Sequence, residues 1–309
     1  LPQLLDGGQL DYVSFDYLAE ITMSILARAR AKEPTLGYAT DFVDLVARHL
    51  PQIAAQKVRL LANAGGLNPR ACADALREKI AAAGLSLKVG VVLGDDLIAR
   101  ADDFRETTEM FSGAALPDKL ISLNAYLGAF PIAAALDEGA DIVITGRCVD
   151  SALALGACIH EFGWGEDDHD RLAGGSLAGH IIECGAQSTG GLFTEWEETG
   201  DWANIGYPIV AVAEDSSFVV EKVAGTGGLV SRGTVAEQLV YEIGDPAAYV
   251  LPDVVCDFTD VTIDQIGPDR VRVAGAKGAA PTPHYKASAT YGEGFRVGVT
   301  WSVIGIDAA

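Results

Sequence analysis

The stretch DIVITGRCVDSALALGACIHEF, residues 141–162, carries the pattern that decides the fold. Its beginning, DIVITG, is apolar throughout, as in a strand that is buried on both faces, and residues 150–162 are typical of an apolar helix. Gly146, Arg147 and Asp150 lie at the joint between them. Such a joint indicates either a simple connection or a place where polar side chains face a ligand.

The same strand-then-helix pattern recurs through the first half of the chain. Apolar strands that alternate with helices predict a parallel sheet with helices on both faces and right-handed crossovers. We therefore predict an α/β domain over residues 1–165, with a doubly wound, mostly parallel, Rossmann-like sheet. The segments are strands at 10–15, 57–66 and 85–96, helices at 17–31 and 68–84, and a strand followed by a helix within 120–140.

The second half of the chain has a different composition, with more Gly, Trp, Tyr and Pro. The acidic, glycine-bearing segment FGWGEDDHD marks the predicted boundary, so residues 166–309 form a second, smaller α+β domain with glycine-rich loops. Alternation of apolar and polar residues predicts half-exposed antiparallel strands here. The predicted elements are a helix within 174–191, a strand at 216–223, a helix within 225–245, and the strands DRVRVAGAKG and FRVGVTWSVIG.

The composition excludes several classes of function. The 309 residues include 22 Lys and Arg against 43 Asp and Glu, a net charge of −21, which opposes binding to nucleic acid or to an anionic membrane. We find no transmembrane segment and no signal peptide. Five cysteines, an odd number without a CxxC motif, are typical of buried thiols in a reducing compartment, so we expect a cytoplasmic protein.

Arg147 and Asp150 are the first candidates for catalysis. Ligands of parallel sheets bind beyond the carboxyl ends of the strands, which is where both residues lie. The planar guanidinium of Arg147 suits a carboxylate or a phosphate, and Asp150 would orient it or act as a base. The alternative for Asp150 is a structural role as the N-cap of the helix that follows.

Three further strand-to-helix joints offer polar groups. In NAGGLNP, Asn63 is a candidate for ligand binding, and Gly65 and Gly66 would let backbone amides approach a substrate or coenzyme A; a tight turn capped by Asn68 is the alternative. LNAYLGAF adds Asn124, also assigned to substrate binding. LGDD contains two aspartates that would bind a metal or would simply be solvated, and we predict no metal site.

The glycine-rich segment GTGGLVSRGTVAE, residues 225–237, resembles a phosphate-binding loop only in part. It has neither the lysine of a Walker A loop nor the last glycine of GxGxxG. Thr234 and Glu237 predict a capping box for the helix that follows. The remaining residues are assigned to binding the phosphate or thioester oxygen of an acyl carrier: Gly225, Thr226, Gly227, Gly228 and Arg232.

The segment GHIIECGAQ places His180, Glu183, Cys184 and Gln187 on one face of a helix. A polar face of this kind is usually the solvent side of an amphipathic helix. His180 and Glu183 are nevertheless types that transfer protons, so we assign both as catalytic candidates. Cys184, or Ser231 of the glycine-rich loop, would be the nucleophile of a hydrolase, although no GxSxG motif is present.

Several of these segments together resemble the acyclic terpene utilisation (AtuA-like) protein family. The resemblance rests on motifs such as NAGGLNP, NAYLGAFPIAAALDEGADIVITGRCVDSALALG, GSLAGHIIECGAQSTGG and YKASATYGEGF, in this order along nearly the whole chain. It implies a role in the breakdown of citronellol- and geraniol-type compounds, whose route uses branched acyl-CoA thioesters after carboxylation. An acyl-CoA ligand and an acyl-CoA carboxylase partner follow from this resemblance.

Two functions are consistent with these features. The first is an enzyme that hydrates, or cleaves a carbon–carbon bond of, a branched or carboxylated acyl-CoA, with coenzyme A thioester as substrate and no tightly bound cofactor. In this hypothesis Arg147 holds a free carboxylate, and His180 or Glu183 moves a proton. The second is a non-catalytic protein that binds acyl-CoA or assembles with a carboxylase. In both cases we expect a homo-oligomer.

Overall fold

The computed structural model of the chain describes residues 1–292, 294, 298 and 299. The helices are, in chain order, α1 (Pro2–Gly7), α2 (Glu20–Lys32), α3 (Thr40–Gln56), α4 (Pro69–Ala82), α5 (Phe130–Asp137), α6 (Ala152–Phe162), α7 (His169–Glu183) and α8 (Arg232–Val240). The strands are β1 (Tyr12–Phe15), β2 (Arg59–Ala62), β3 (Val89–Val92), β4 (Leu120–Ala125), β5 (Ile142–Thr145), β6 (Pro208–Val212), β7 (Phe218–Lys222), β8 (Tyr249–Val250), β9 (Val255–Asp257), β10 (Thr262–Gly267), β11 (Arg270–Ala274), β12 (Lys277–Ala279) and β13 (Ala287–Tyr291).

A four-stranded parallel sheet in the order β1-β2-β5-β3 confirms the predicted α/β class. Successive residues of a strand point to opposite faces, so the apolar run of β5 is buried on both sides. Ile142 and Ile144 pack into the core under α3 and α4, whereas Val143 packs into a second core with α5 and α6. All four residues of β5 are therefore buried, as DIVITG predicted.

The sheet differs from the predicted doubly wound, Rossmann-like arrangement. β4, expected from its position between helices to join the parallel sheet, instead pairs antiparallel with β13, about 165 residues later in the chain. The molecule is thus a mixed α/β protein in which one parallel sheet accompanies several antiparallel ones. The pairing partner of β4 lies too far along the chain for local periodicity to indicate it.

The second half contains an antiparallel sheet in the order β10-β11-β7-β6 and a smaller one in the order β12-β9-β8. DRVRVAGAKG forms β11 and leads into β12, which confirms that prediction, whereas FRVGVTWSVIG lies outside the described residues except for two of them. One core cluster joins residues of both halves, with Leu153 and Leu177 packed together with Val220 and Val271. The boundary near residue 165 stays a prediction.

Local signals place several helices correctly. The side chain of Asn68 accepts a hydrogen bond from the amide of Ala71 at the start of α4, where Pro69 occupies the first turn. Helix α3 was not predicted, although its buried positions have helical spacing: Phe42, Val43, Val46, Leu50 and Ile53. Of the described residues, no helix has the length and apolar character to cross a membrane.

Candidate active site

Four parallel strands deliver polar residues to one edge of the sheet. Asp16 follows β1, Asn63 follows β2, Arg147 follows β5 and Asp95 lies shortly after β3. Parallel strands have their carboxyl ends at the same edge, which is where ligands of such sheets bind. Polar residues therefore lie at the edge of the sheet where the sequence predicted them.

Arg147 is the buried cation of this edge, and its side chain is only 3% exposed. Its Nη1 donates to the carbonyl of Leu18 and lies 3.0 Å from Oδ1 of Asp150, while the guanidinium carbon lies 4.1 Å from the ring centroid of Tyr126. The charge of this guanidinium is thus matched by the protein through an aromatic ring and a carboxylate, although its Nε has no hydrogen-bond partner among the described residues. Arg147 therefore organises the edge and has little surface with which to hold a substrate carboxylate.

Asp150 does not cap α6. The N-cap of that helix is Ser151, with no side-chain hydrogen bond, and Asp150 instead forms the ion pair with Arg147. Burial raises the pKa of Asp150 to about 7, with the carboxylate of Asp16 adding to the rise and Arg147 opposing it. Because its side chain is still 34% exposed, Asp150 is a carboxyl group that meets solvent and exchanges its proton near neutral pH.

Asp95 connects the ends of three strands. Its Oδ2 accepts hydrogen bonds of 2.8 Å from Nδ2 of Asn124 and 2.8 Å from the backbone amide of Arg147. Asn124 is fully buried, so its place in this bond is structural, although its Oδ1 has no hydrogen-bond partner among the described residues. Asp96 forms an ion pair with Arg30, and the LGDD segment thus has protein partners for both carboxylates.

Gly146 is required for this approach, because a Cβ atom there would lie 2.4 Å from both carboxylate oxygens of Asp95. We expect Gly146→Ala to destabilise the fold by about 1–3 kcal/mol, the usual cost of overpacking a core. Urea denaturation measures this loss. Gly244→Ala is the control, since a Cβ there meets nothing within 4 Å; equal midpoints for the two variants would contradict the close approach.

His180 and Glu183 form a buried pair on α7, one turn apart. His180 Nδ1 lies 2.8 Å from Glu183 Oε1, and their side chains are only 3% and 11% exposed. This confirms that the two residues share a face, but the face is not the solvent side. Burial raises the pKa of Glu183, and for His180 the bond to Glu183 outweighs the opposing effect of burial, so its pKa is raised.

The other ring nitrogen of His180 is buried and has no hydrogen-bond partner among the described residues. The charge of Asp150 contributes to the raised pKa of Glu183, so the pair and the Asp150 carboxyl are electrostatically coupled. The four catalytic candidates thus form two ion pairs, Arg147 with Asp150 and His180 with Glu183. The two pairs interact through the charges of Asp150 and Glu183.

Asn63, Gly65 and Gly66 are buried and serve the local packing. Asn63 accepts a hydrogen bond from the amide of Tyr17 and donates to Asp16. A Cβ on Gly65 would lie 2.4 Å from the carbonyl of Thr145, and Gly66 has a φ of +51° beside Leu26. These contacts favour the tight turn over the approach of a ligand to the backbone.

The glycine-rich loop is occupied by the protein's own groups. The amides of Thr226, Gly227 and Gly228 donate to the carbonyls of residues 223, 204 and 200, respectively. The carboxylate of Asp269 already occupies the groups that would bind a phosphate: it accepts a hydrogen bond from the amide of Val230 and lies 3.1 Å from Nζ of Lys222, whose side chain is buried. The predicted use of these loop amides for a phosphate is therefore not supported. Gly225 and Arg232 lie at the surface.

The predicted capping box of α8 is wrong by one turn. The box consists of Ser231 and Thr234, because α8 begins at Arg232, while Glu237 accepts from the amide of Thr194. Ser231 is thereby engaged as a cap. Burial raises the pKa of Cys184 to about 11, so its thiol is protonated at neutral pH and is a poor nucleophile.

Comparison with known proteins adds one finding to this geometry. A model of the family described as "Acyclic terpene utilisation family protein AtuA" matches residues 1–309. The chain belongs to the AtuA family. Membership implies involvement in acyclic terpene utilisation and confirms the resemblance seen in the sequence. Neither the curated proteins nor the solved structures that were compared include a match.

Three site residues of this AtuA family chain escaped the sequence analysis as functional groups. Glu20 accepts a hydrogen bond from the hydroxyl of Tyr126, and Lys286, just before β13, lies 3.6 Å from Glu20. Glu242 has a φ of +58° and acts on Asp150 through its charge. The position of Glu20, about one turn after a predicted strand, is a weak indication in the sequence that it lies near the sheet edge. Lys286 is brought to this edge only by the pairing of β13 with β4.

A metal site would need several ligating side chains close together. Among the described residues, no three His, Cys, Asp or Glu side chains are arranged to hold a metal ion. The five cysteines are free thiols, four of them buried, as predicted.

Proposed function

We propose that this protein is an acid–base enzyme that hydrates a branched or carboxylated acyl-CoA thioester. The observation that carries the proposal is Asp150, a solvent-accessible carboxyl whose pKa is raised to about 7 beside the buried Arg147. Groups whose pKa is shifted toward neutrality by burial and a specific charged partner are typical of active sites. Family membership supports a role in acyclic terpene utilisation, and the acyl-CoA substrate is our inference from that role.

The residues have distinct roles in this proposal. Asp150, in its protonated form, donates a proton to the substrate carbon next to the thioester carbonyl. Arg147 holds Asp150 in place and limits the rise of its pKa. The buried His180–Glu183 pair contributes the unpartnered Nε2, a second group able to hold or move a proton. The loop amides assigned from the sequence to a phosphate or thioester oxygen are already used, so they favour neither hydration nor a lyase.

The proposal is tested with three thioesters: 3-methylcrotonyl-CoA, 3-methylglutaconyl-CoA and unbranched crotonyl-CoA. Mass spectrometry of the products separates the possibilities. Addition of one water to a branched substrate supports hydration, whereas two smaller fragments would identify a carbon–carbon lyase. Binding without turnover of any thioester would contradict the enzyme and favour the non-catalytic acyl-CoA protein, which would then be tested for binding to a carboxylase.

His180→Gln is expected to lower kcat on the hydrated substrate by about 10²–10⁴-fold, the usual contribution of a positioned acid–base group. The substitution keeps a polar side chain of similar length beside Glu183, so we expect the fold to be retained. Product formation over time measures the effect. His49→Gln on α3 is the matched control; equal rates for the two variants would remove His180 from the mechanism.

A further inference from the structure

The carboxylate of Asp16 is held by hydrogen bonds from neighbouring residues but does not cap a helix. An aspartate shortly before a helix commonly caps it, yet α2 begins at Glu20, and its N-cap, Ala19, makes no side-chain cap hydrogen bond. Asp16 Oδ1 accepts hydrogen bonds of 2.5 Å from Asn63 Nδ2 and 3.4 Å from the amide of Leu18. Part of the residue remains exposed to solvent.

Asn63 is fixed in one orientation by its two partners. Its Oδ1 accepts a hydrogen bond of 2.7 Å from the amide of Tyr17, so its Nδ2 must point to Asp16. Asn63 is also fully buried. A buried amide is costly unless both of its ends are hydrogen-bonded, and here one end is satisfied only by the carboxylate of Asp16. The arrangement orients an accessible carboxylate at the edge where Asp150 lies.

We propose that Asp16 is a second catalytic carboxylate, the general base of the reaction, and that Asn63 is its positioning residue. This rests on the proposed hydration. Asp16 takes a proton from water while the water oxygen bonds to the β-carbon of an enoyl thioester. The π electrons of the double bond move to the α-carbon, which takes the proton of Asp150. The product is a β-hydroxy thioester, and proton exchange with solvent restores both carboxyls.

The charges around the two carboxyls support this division of roles. The charge of Glu183 raises the pKa of Asp16, and that of Arg147 lowers it. The pKa of Asp150 is likewise lowered by Arg147, and it is raised by three carboxylates, those of Asp16, Glu20 and Glu242. Burial raises the pKa of Asp16, whereas the hydrogen bond from Asn63 lowers it and so favours the ionised form that a base requires. Asp150 has no such amide donor among the described residues, and burial raises its pKa to about 7, which suits a group that donates a proton.

Asp16→Asn tests the base directly. The asparagine oxygen still accepts from Asn63, so the fold should persist, as thermal unfolding will check. We expect kcat on 3-methylcrotonyl-CoA to fall by about 10²–10⁴-fold with little change in KM. In a ¹³C titration of the side-chain carboxyls, the midpoint of Asp150 should move to lower pH, because the neighbouring negative charge is gone. Asp11→Asn, at the other end of β1, is the control and should change neither.

Asn63→Ala tests the positioning role by pH dependence. Loss of its hydrogen bond raises the pKa of Asp16, so the acid limb of the kcat profile should move to higher pH, with activity recovering as pH rises. A limb that stays in place, or an Asp16→Asn variant with the kcat of Asp11→Asn, would overturn the inference while leaving the hydration intact. Absence of turnover by the native chain would overturn both.

Discussion

Asp150→Asn should lower kcat by about 10²–10⁴-fold, because the asparagine side chain cannot donate a carboxyl proton to carbon. The substitution is nearly isosteric and keeps an oxygen facing Arg147, so substrate binding should change little. The native rate should fall as pH rises through about 7, where Asp150 loses its proton, and the residual activity of the variant should lack this limb. Initial rates across pH measure both effects.

The same substitution has a second, independent readout in stability. The pKa of Asp150 is higher in the folded chain than its ordinary value of 3.8, so the folded state binds more protons between pH 4 and 7. Stability therefore declines as pH rises through this window, and the decline should be smaller in Asp150→Asn. Asp103→Asn is the control, since Asp103 forms an exposed ion pair of the same spacing with Arg100. Matching pH profiles for both variants would contradict the shifted pKa.

Arg147→Ala is expected to destabilise the fold by about 3–5 kcal/mol, the cost of breaking a buried ion pair by removing one partner. The change leaves the carbonyl of Leu18 and Oδ1 of Asp150 without their cation and removes the packing on Tyr126. Chemical denaturation measures the loss. In the pH profile of the folded fraction, the fall in activity that occurs near pH 7 should move to higher pH. The reason is that Arg147 opposes the rise in the pKa of Asp150.

Arg100→Ala provides a matched comparison within the same chain. Arg100 pairs with Asp103 three residues later and lies 6.0 Å from the ring centroid of Phe104, but its side chain is 67% exposed. Exposed pairs contribute only about 0–1 kcal/mol, so this variant should be nearly neutral. Similar losses for the two arginines would mean that burial adds nothing to the role of Arg147.

The chemistry of the edge was partly visible in the sequence. Arg147 and Asp150 follow an apolar strand, and the spacing of His180 and Glu183 placed them on one face of a helix. Asp16 was missed as a base because an aspartate before a helix usually caps it, and only the position of Asn63 shows otherwise. The glycine-rich loop suggested a ligand site that the structure does not support, since the amides of Gly227 and Gly228 donate to the carbonyls of Asn204 and Gly200, in a distant segment of the chain.

By itself, the sequence determined the features that depend on neighbours a few residues apart. These include the alternation of apolar strands and helices, the start of α4 at Asn68, and the family to which the chain belongs. Only the tertiary structure decided that β4 pairs with β13 and that Asn63 holds Asp16, and it selected the pairing with Arg147 over the cap of α6, the two local roles that the sequence left open for Asp150. Periodicity and capping act within a few residues of the chain, whereas packing between distant segments selects the partner of each buried polar group.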